Sequence, residues 1–149
     1  MEFLIEPKEL LEAARRDDVV IVDARKAADY AKGHIPGAIN FSTYDTFVLD
    51  TREEGLSTFA RNAAASYAAA GISSNRPVVL YETDTGMRAA RDAWILQYLG
   101  HLNVRMLHGG LAAWRAAGCR RPTPRPRSRP SRGSCTRWWP PPGRAGRPG

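Results

Sequence analysis

Two stretches of the chain carry side chains whose types and spacing could do chemistry. One is Asp23-Ala24-Arg25 with Tyr30 and His34-Ile35-Pro36-Gly37-Ala38; the other is Tyr81-Glu82-Thr83-Asp84-Thr85-Gly86-Met87-Arg88. The second stretch lies between an apolar run and a helical pattern. A short polar loop in that position turns backbone N–H groups inward, and with the start of the helix they form a positive cradle for an anion. A cysteine held there would ionise below its usual range and act as a nucleophile. The loop contains no cysteine. Glu82 is no substitute for a thiolate nucleophile. Glu82 and Asp84 also add two negative charges. At ~4 Å and an effective dielectric of about 20, each like-charge contact with an anionic substrate would cost about 4 kcal/mol. Arg88 and Arg91 are expected to offset part of that repulsion.

The remaining reactive side chains are few. Cys119 and Cys135 are the only thiols, and both are expected at the surface without a positioned cradle. His34 reads as a structural histidine that fixes its turn by hydrogen bonds, in preference to a ligand or base. Its nearest acidic company is Asp23, and one histidine with one aspartate makes no metal site. His101 and His108 are too scattered to add ligands. Asp23 and Arg25 are expected to form a buried charge-assisted pair with a fold-holding role. Gly109-Gly110 reads as a turn, since neither a following Lys nor a phosphate-loop spacing accompanies it. Neither a metal nor a cofactor is expected.

The elements that would position these residues follow from periodicity. Glu2–Ile5 reads as a short first strand and Pro7–Arg16 as a helix with Pro in its first turn. Val19-Val20-Ile21-Val22 is a β-branched run of the kind buried on both faces of a parallel sheet. Lys26–Lys32 reads as a short helix and Ala38–Phe41 as a strand. Residues 42–55 are polar and turn-like. Ser57–Ala70 reads as a helix with Phe59, Ala63, Tyr67 and Ala70 on one side. Pro77–Tyr81 is a second buried strand, and Met87–Leu99 a helix with Ala90, Trp94, Ile95 and Leu99 apolar. Val104–Leu107 is a third strand of that kind, and Leu111–Ala117 a last helix burying Leu111 and Trp114. Both Trp94 and Trp114 are expected in the core. Strands alternating with helices predict a parallel α/β sheet covered on both faces.

Composition changes abruptly after Gly118. Residues 119–149 hold nine Arg and eight Pro, with no Leu, Ile, Val, Phe or Tyr. With no acid or lysine beside them, these arginines give the segment +9 of a whole-chain +7, leaving −2 on the first 118 residues. Such a segment cannot bury enough apolar area to offset ordering at roughly 1–2 kcal/mol per residue. It is expected to be disordered or extended, or to be a GC-rich stretch translated in a shifted frame. Arg125, Arg127, Arg129 and Arg132, near Trp138-Trp139, could contact phosphates and stack on bases. A tail without a selected role is the preferred reading, and nucleic acid is not an expected partner. No basic, apolar leader opens the chain and no apolar run is long enough to span a bilayer. With two cysteines and no disulfide framework, a cytoplasmic location is expected.

An acidic residue closing a buried strand, then an aromatic, then His34-Ile35-Pro36-Gly37-Ala38, closely resembles the rhodanese (sulfurtransferase) signature. Tyr81-Glu82, Ala89-Ala90-Arg91-Asp92-Ala93-Trp94 and Leu107-His108-Gly109-Gly110-Leu111-Ala112-Ala113-Trp114 resemble the N-terminal, non-catalytic domain of tandem thiosulfate and mercaptopyruvate sulfurtransferases. The resemblance covers roughly residues 1–118. It implies a three-layer α/β fold with a mostly parallel sheet. It also implies that active members carry their cysteine directly after the strand, where Glu82 stands, and that the loop here is about one residue longer than theirs. Glu82, Thr83, Asp84, Thr85, Gly86, Met87 and Arg88 would then be a degenerate active-site loop with no catalytic residue. Asp23, Arg25, Tyr30, His34, Pro36, Gly37, Gly109, Gly110 and Trp114 would be structural motif positions. His108 departs from the family, where Asp is more usual, and the Arg/Pro segment stands where a linker to a second domain would be expected to begin. The partner implied is a catalytic rhodanese domain, through which alone a small sulfur donor would be handled. The family reaction moves sulfane sulfur from thiosulfate or mercaptopyruvate to a thiophilic acceptor. By itself the chain is expected to be inactive. Two alternatives belong to other classes: a free-standing inactive rhodanese module binding a protein or an anion through the Glu82–Arg88 loop, and an Arg-rich nucleic-acid adaptor. Phosphatase chemistry of the related cysteine-dependent kind lacks the same nucleophile.

Overall fold

The computed structural model describes residues 3–84 and 86–119 of the chain. Ten elements follow one another: β1 (Leu4–Ile5), α1 (Pro7–Arg15), β2 (Val20–Asp23), α2 (Ala27–Ala31), β3 (Ile39–Asn40), α3 (Glu53–Ala69), β4 (Val78–Tyr81), α4 (Met87–Tyr98), β5 (Val104–Leu107) and α5 (Gly110–Ala116). The strands form one sheet in the order β1-β5-β4-β2-β3. Every pairing in it is parallel. The β-branched runs make β2 and β4 buried along their whole length. Successive side chains alternate between faces. Val20, Val22, Val78 and Leu80 pack with Ala60, Ala63, Ala64 and Tyr67 of α3 and with Ala89, Ala93 and Leu96 of α4. Ile21, Val79 and Tyr81 pack on the other side with Leu10 and Ala14 of α1 and with Leu111 and Trp114 of α5. Helices therefore cover both faces of the sheet, which is the α/β architecture the sequence predicts.

Three differences from the sequence reading have physical causes. Trp94 is not core: it is 61% exposed and stacks on Tyr98 with ring centroids 5.6 Å apart. The buried seam of α4 runs through Ala89, Asp92, Ala93 and Leu96, a helical spacing that turns Trp94 and Ala90 outward. Helix α3 begins at Glu53, inside the stretch read as turn. Glu53 and Glu54 in its first turn favour that start, since acids complement the positive end of a helix. Cys119 is not a surface thiol. It is buried in the cluster under α1 and α5, and its Sγ donates to the Pro7 carbonyl at 3.6 Å. The body thus extends through Cys119. The expectations for Arg125, Arg127, Arg129 and Arg132, for Cys135, for Trp138-Trp139 and for the rest of residues 120–149 lie outside the described residues, as does Thr85.

Candidate functional site

Strand β4 lies mid-sheet between β5 and β2. Its C-terminal end opens onto the loop that leads into α4, the position where parallel α/β sheets place ligands. Beside it, the pairing of β2 with β4 sets Asp23 opposite Tyr81. Tyr81 donates from its hydroxyl to Asp23 Oδ2 at 2.6 Å and accepts the Ile35 N–H at 3.0 Å. Arg25 grips the same carboxylate with Nε to Oδ1 at 2.9 Å and Nη2 to Oδ2 at 2.6 Å, and Nη2 also donates to the Gly33 carbonyl at 2.8 Å. The hydrogen bond from Arg25 to Asp23 raises the guanidinium pKa further above its ordinary value. Burial, reinforced by the bond to Asp23, pushes the Tyr81 phenol well above its usual range. The phenol therefore stays protonated and keeps donating. Asn40 closes the group by donating from Nδ2 to the carbonyls of Asp23 and Arg25 at 3.1 and 2.8 Å.

The histidine turn hangs from this group. Pro36 and Gly37 occupy a turn closed by the Ala38 N–H on the Ile35 carbonyl at 2.9 Å. Gly37 has φ of +80°, the left-handed conformation a type II turn requires at that corner. Tyr30 donates to the Ala38 carbonyl at 2.8 Å and stacks on the His34 ring at 3.7 Å between centroids. His34 Nδ1 lies 2.9 Å from the Tyr30 carbonyl. Asp23, Arg25, Tyr30, His34, Pro36 and Gly37 are thus gathered in one hydrogen-bonded knot under the loop, with Trp114 buried in the cluster beneath it.

The loop's own acid occupies one donor of the cradle. The Glu82 carboxylate turns back and accepts the Arg88 N–H at 2.9 Å. That N–H belongs to the first turn of α4, whose early donors have no partner within the helix. A carboxylate there occupies the place an external anion would take, with a stabilisation of about 0.3–1 kcal/mol. On the loop's other side α5 approaches. Leu111 and Ala112 donate their N–H groups to the Glu82 and Thr83 carbonyls at 2.7 and 3.1 Å. This contact depends on Gly110: a Cβ there would lie 2.6 Å from the Glu82 carbonyl oxygen, and φ is +58°. Gly109 precedes it as the α5 N-cap, also with positive φ. Thr83, Asp84 and Met87 are exposed, and Gly86 is buried against Met106.

Arg88 and Arg91 do not sit over Glu82 as counter-charges. The Arg88 guanidinium lies 4.3 Å from the Tyr44 ring centroid and 3.6 Å from Asp45 Oδ2. Arg91 donates to the Tyr44 carbonyl at 2.7 Å and to the Thr46 carbonyl, and covers the Phe47 ring. Both are drawn onto the segment between β3 and α3.

Sequence reasoning missed the anchor of that segment. Asp92 is fully buried, and its Oδ1 accepts the Thr43 N–H at 2.9 Å, the Thr43 hydroxyl at 2.5 Å and the Tyr67 hydroxyl at 2.7 Å. Its Oδ2 has no hydrogen-bond partner among the described residues. Burial, with the adjacent Asp92 charge, pushes the Tyr67 phenol far up, so it remains a donor. The signal was an acid at a core-facing position of α4. The histidines stay apart: His101 is buried with Nε2 at 3.2 Å from the Ser73 carbonyl, and His108 meets Glu6 at 2.7 Å on the surface. Among the described residues no group of three or more His, Cys, Asp or Glu is placed to hold a metal ion. Among them, too, no helix is long and apolar enough to cross a membrane.

With this geometry in place, comparison with known proteins is informative. A family model described as a rhodanese-like domain matches residues 6–117. A thiosulfate sulfurtransferase of Pseudomonas aeruginosa is 32% identical over 114 residues, covering 76% of this chain and 42% of that protein. A thiosulfate sulfurtransferase of Azotobacter vinelandii is 30% identical over 116 residues, covering 78% of this chain and 43% of that protein. The crystal structure of SseA from Escherichia coli, described as a 3-mercaptopyruvate sulfotransferase with the rhodanese fold, superposes with a TM-score of 0.60. At 25% identity it covers 79% of this chain and 49% of SseA. The chain spans less than half the length of these relatives.

Proposed function

The chain belongs to the rhodanese-like domain family, and on that premise we propose that it is the non-catalytic half of a two-domain sulfurtransferase. The reaction of the whole protein would move sulfane sulfur from thiosulfate or 3-mercaptopyruvate to a thiophilic acceptor. With thiosulfate, a cysteine thiolate of the other domain attacks the outer sulfur, the sulfur–sulfur bond breaks and sulfite leaves. The resulting persulfide hands its outer sulfur to cyanide as thiocyanate and regenerates the thiolate. This half would supply one wall of the cleft and carry no sulfur itself.

The observation that carries this reading is the Glu82 carboxylate at the end of β4, capping α4 through the Arg88 N–H at 2.9 Å. A thiol would be needed in that place, and the Arg88 N–H that would help steady it is already engaged. The shares of 42% and 43% by which the chain covers its two bacterial relatives support the second half of the reading. A cytoplasmic location fits the same reading. Cyanide-dependent thiocyanate formation from thiosulfate tests it. The purified chain is expected to give no turnover above the uncatalysed background. Turnover that disappears in Cys119→Ser would overturn the reading.

A further inference from the structure

A cleft of about 500 Å³ lies between the histidine turn and α5. Its walls include His34, Pro36, Leu111, Trp114, Arg115 and Cys119, and no described residue of the Glu82–Arg88 loop lines it. Leu111 and Trp114 are 2% and 3% exposed, so they form a fixed apolar floor. A buried indole N–H usually has a hydrogen-bond partner. That of Trp114 has none among the described residues, and it is not sealed from solvent. Solvent meets this buried ring across the cleft it lines, which leaves an unpaired donor in the floor. Arg115 supplies a second free donor group. Among the described residues no hydrogen bond or ion pair holds its guanidinium. A Cβ at Gly33 would stand 3.0 Å from Arg115 Nη2, so the arginine reaches from α5 to the histidine turn. His34 is fixed beside it by the stack on Tyr30 and by Nδ1 on the Tyr30 carbonyl. The Cys119 thiol is engaged with the Pro7 carbonyl at 3.6 Å.

We propose that this cleft binds a small organic monoanion, a carboxylate carried on a flat apolar body. Charge selects a single negative group: Arg115 is the one permanent cation among the described lining residues, and no Asp or Glu stands among them. The guanidinium fork matches the two oxygens of a carboxylate, and the Trp114 N–H adds a donor from the floor. Size selects the rest of the ligand. The volume exceeds what an inorganic anion fills and falls in the range of roughly 300–1,000 Å³ that small-molecule sites occupy. Pro36, Leu111 and the Trp114 ring suit a ring or a short hydrocarbon there. A doubly charged phosphate or sulfate would bring a second charge against that apolar floor with no cation to match it. The site is separate from the loop after β4, and the inference does not depend on the sulfurtransferase reading.

Sodium benzoate is the probe, titrated into the full chain labelled with nitrogen-15 while the indole N–H signals are followed by NMR, with sodium chloride as the baseline. Trp114→Phe identifies the Trp114 signal. A saturable shift of that signal is expected. Trp138 and Trp139 lie in the arginine-rich segment 119–149, and their signals report any binding there instead. Arg115→Gln is expected to weaken binding by about tenfold, as for loss of one charge-assisted contact. Arg61→Gln, at an exposed position of α3, is expected to leave it unchanged. Benzyl alcohol, which keeps the ring and lacks the carboxylate, is expected to bind about tenfold more weakly than benzoate. Both arginines are exposed, and melting curves matching the unsubstituted chain exclude a folding defect. No shift at Trp114, a shift that does not saturate, an affinity that Arg115→Gln leaves intact, or equal binding of benzyl alcohol would each overturn the proposal.

Discussion

Glu82 sets what the loop after β4 can hold. Its carboxylate spends the Arg88 N–H that a thiolate would have used. Glu82→Cys should therefore release that donor to the new sulfur. The thiol is expected to ionise below the ordinary ~8.5 of a free cysteine, as thiols at helix N-termini do. The pH dependence of its alkylation rate measures this; a midpoint at or above the free value would mean that the N–H groups do not converge there. That an acid, Glu82, directly follows β4 was legible in the sequence because it is the identity of one residue at the end of a recognisable strand. The partnership of Asp23 with Arg25 was legible too, since the two stand two positions apart. The role of Tyr81 was not, because its hydroxyl meets Asp23 across 58 residues of chain, a distance only sheet register closes. Asp92 was hidden for a related reason. A carboxylate in a helix reads as solvent-facing until the seam of that helix is known.

Helix existence was easier to read than helix rotation. Strand β5 was read with its observed bounds, and α1, α4 and α5 to within a residue or two at each end. The facing of α4 was misjudged at Ala90 and Trp94, although Ile95 and Leu99 are buried as read, because Ala89, Asp92, Ala93 and Leu96 fit a helical seam equally well. A large aromatic was taken as the safer core residue. The contact of α5 with the loop offers a sharper check of how elements hold the site. Gly100 and Gly110 both have positive φ, but a Cβ at Gly100 meets nothing within 4 Å, whereas at Gly110 it meets the Glu82 carbonyl at 2.6 Å. Gly100→Ala is expected to cost about 1 kcal/mol from backbone strain alone. Gly110→Ala carries the same strain and must also push α5 off the loop, for a total of about 3 kcal/mol or more. Urea midpoints compare the two; equal shifts would show that the α5–loop contact is not needed for stability.

For the whole molecule, alternating strands and helices dictated a covered parallel sheet, and the β-branched runs of β2 and β4 marked its centre. The order β1-β5-β4-β2-β3 had no counterpart in periodicity, since nothing local says that β4 pairs with β2 rather than with β3, the strand before it in sequence. That order is what brings the turn after β2, the loop after β4 and the Gly109-Gly110 corner after β5 together at one edge. On the proposed reading these elements are the scaffold of a sulfur-carrying site in which the Glu82 carboxylate stands where the sulfur carrier would be. The most direct measurement is the intact mass of the full chain after incubation with thiosulfate, before and after cyanide. An unchanged mass is expected. A gain of one sulfur atom on Cys119 or Cys135 that cyanide removes would contradict it.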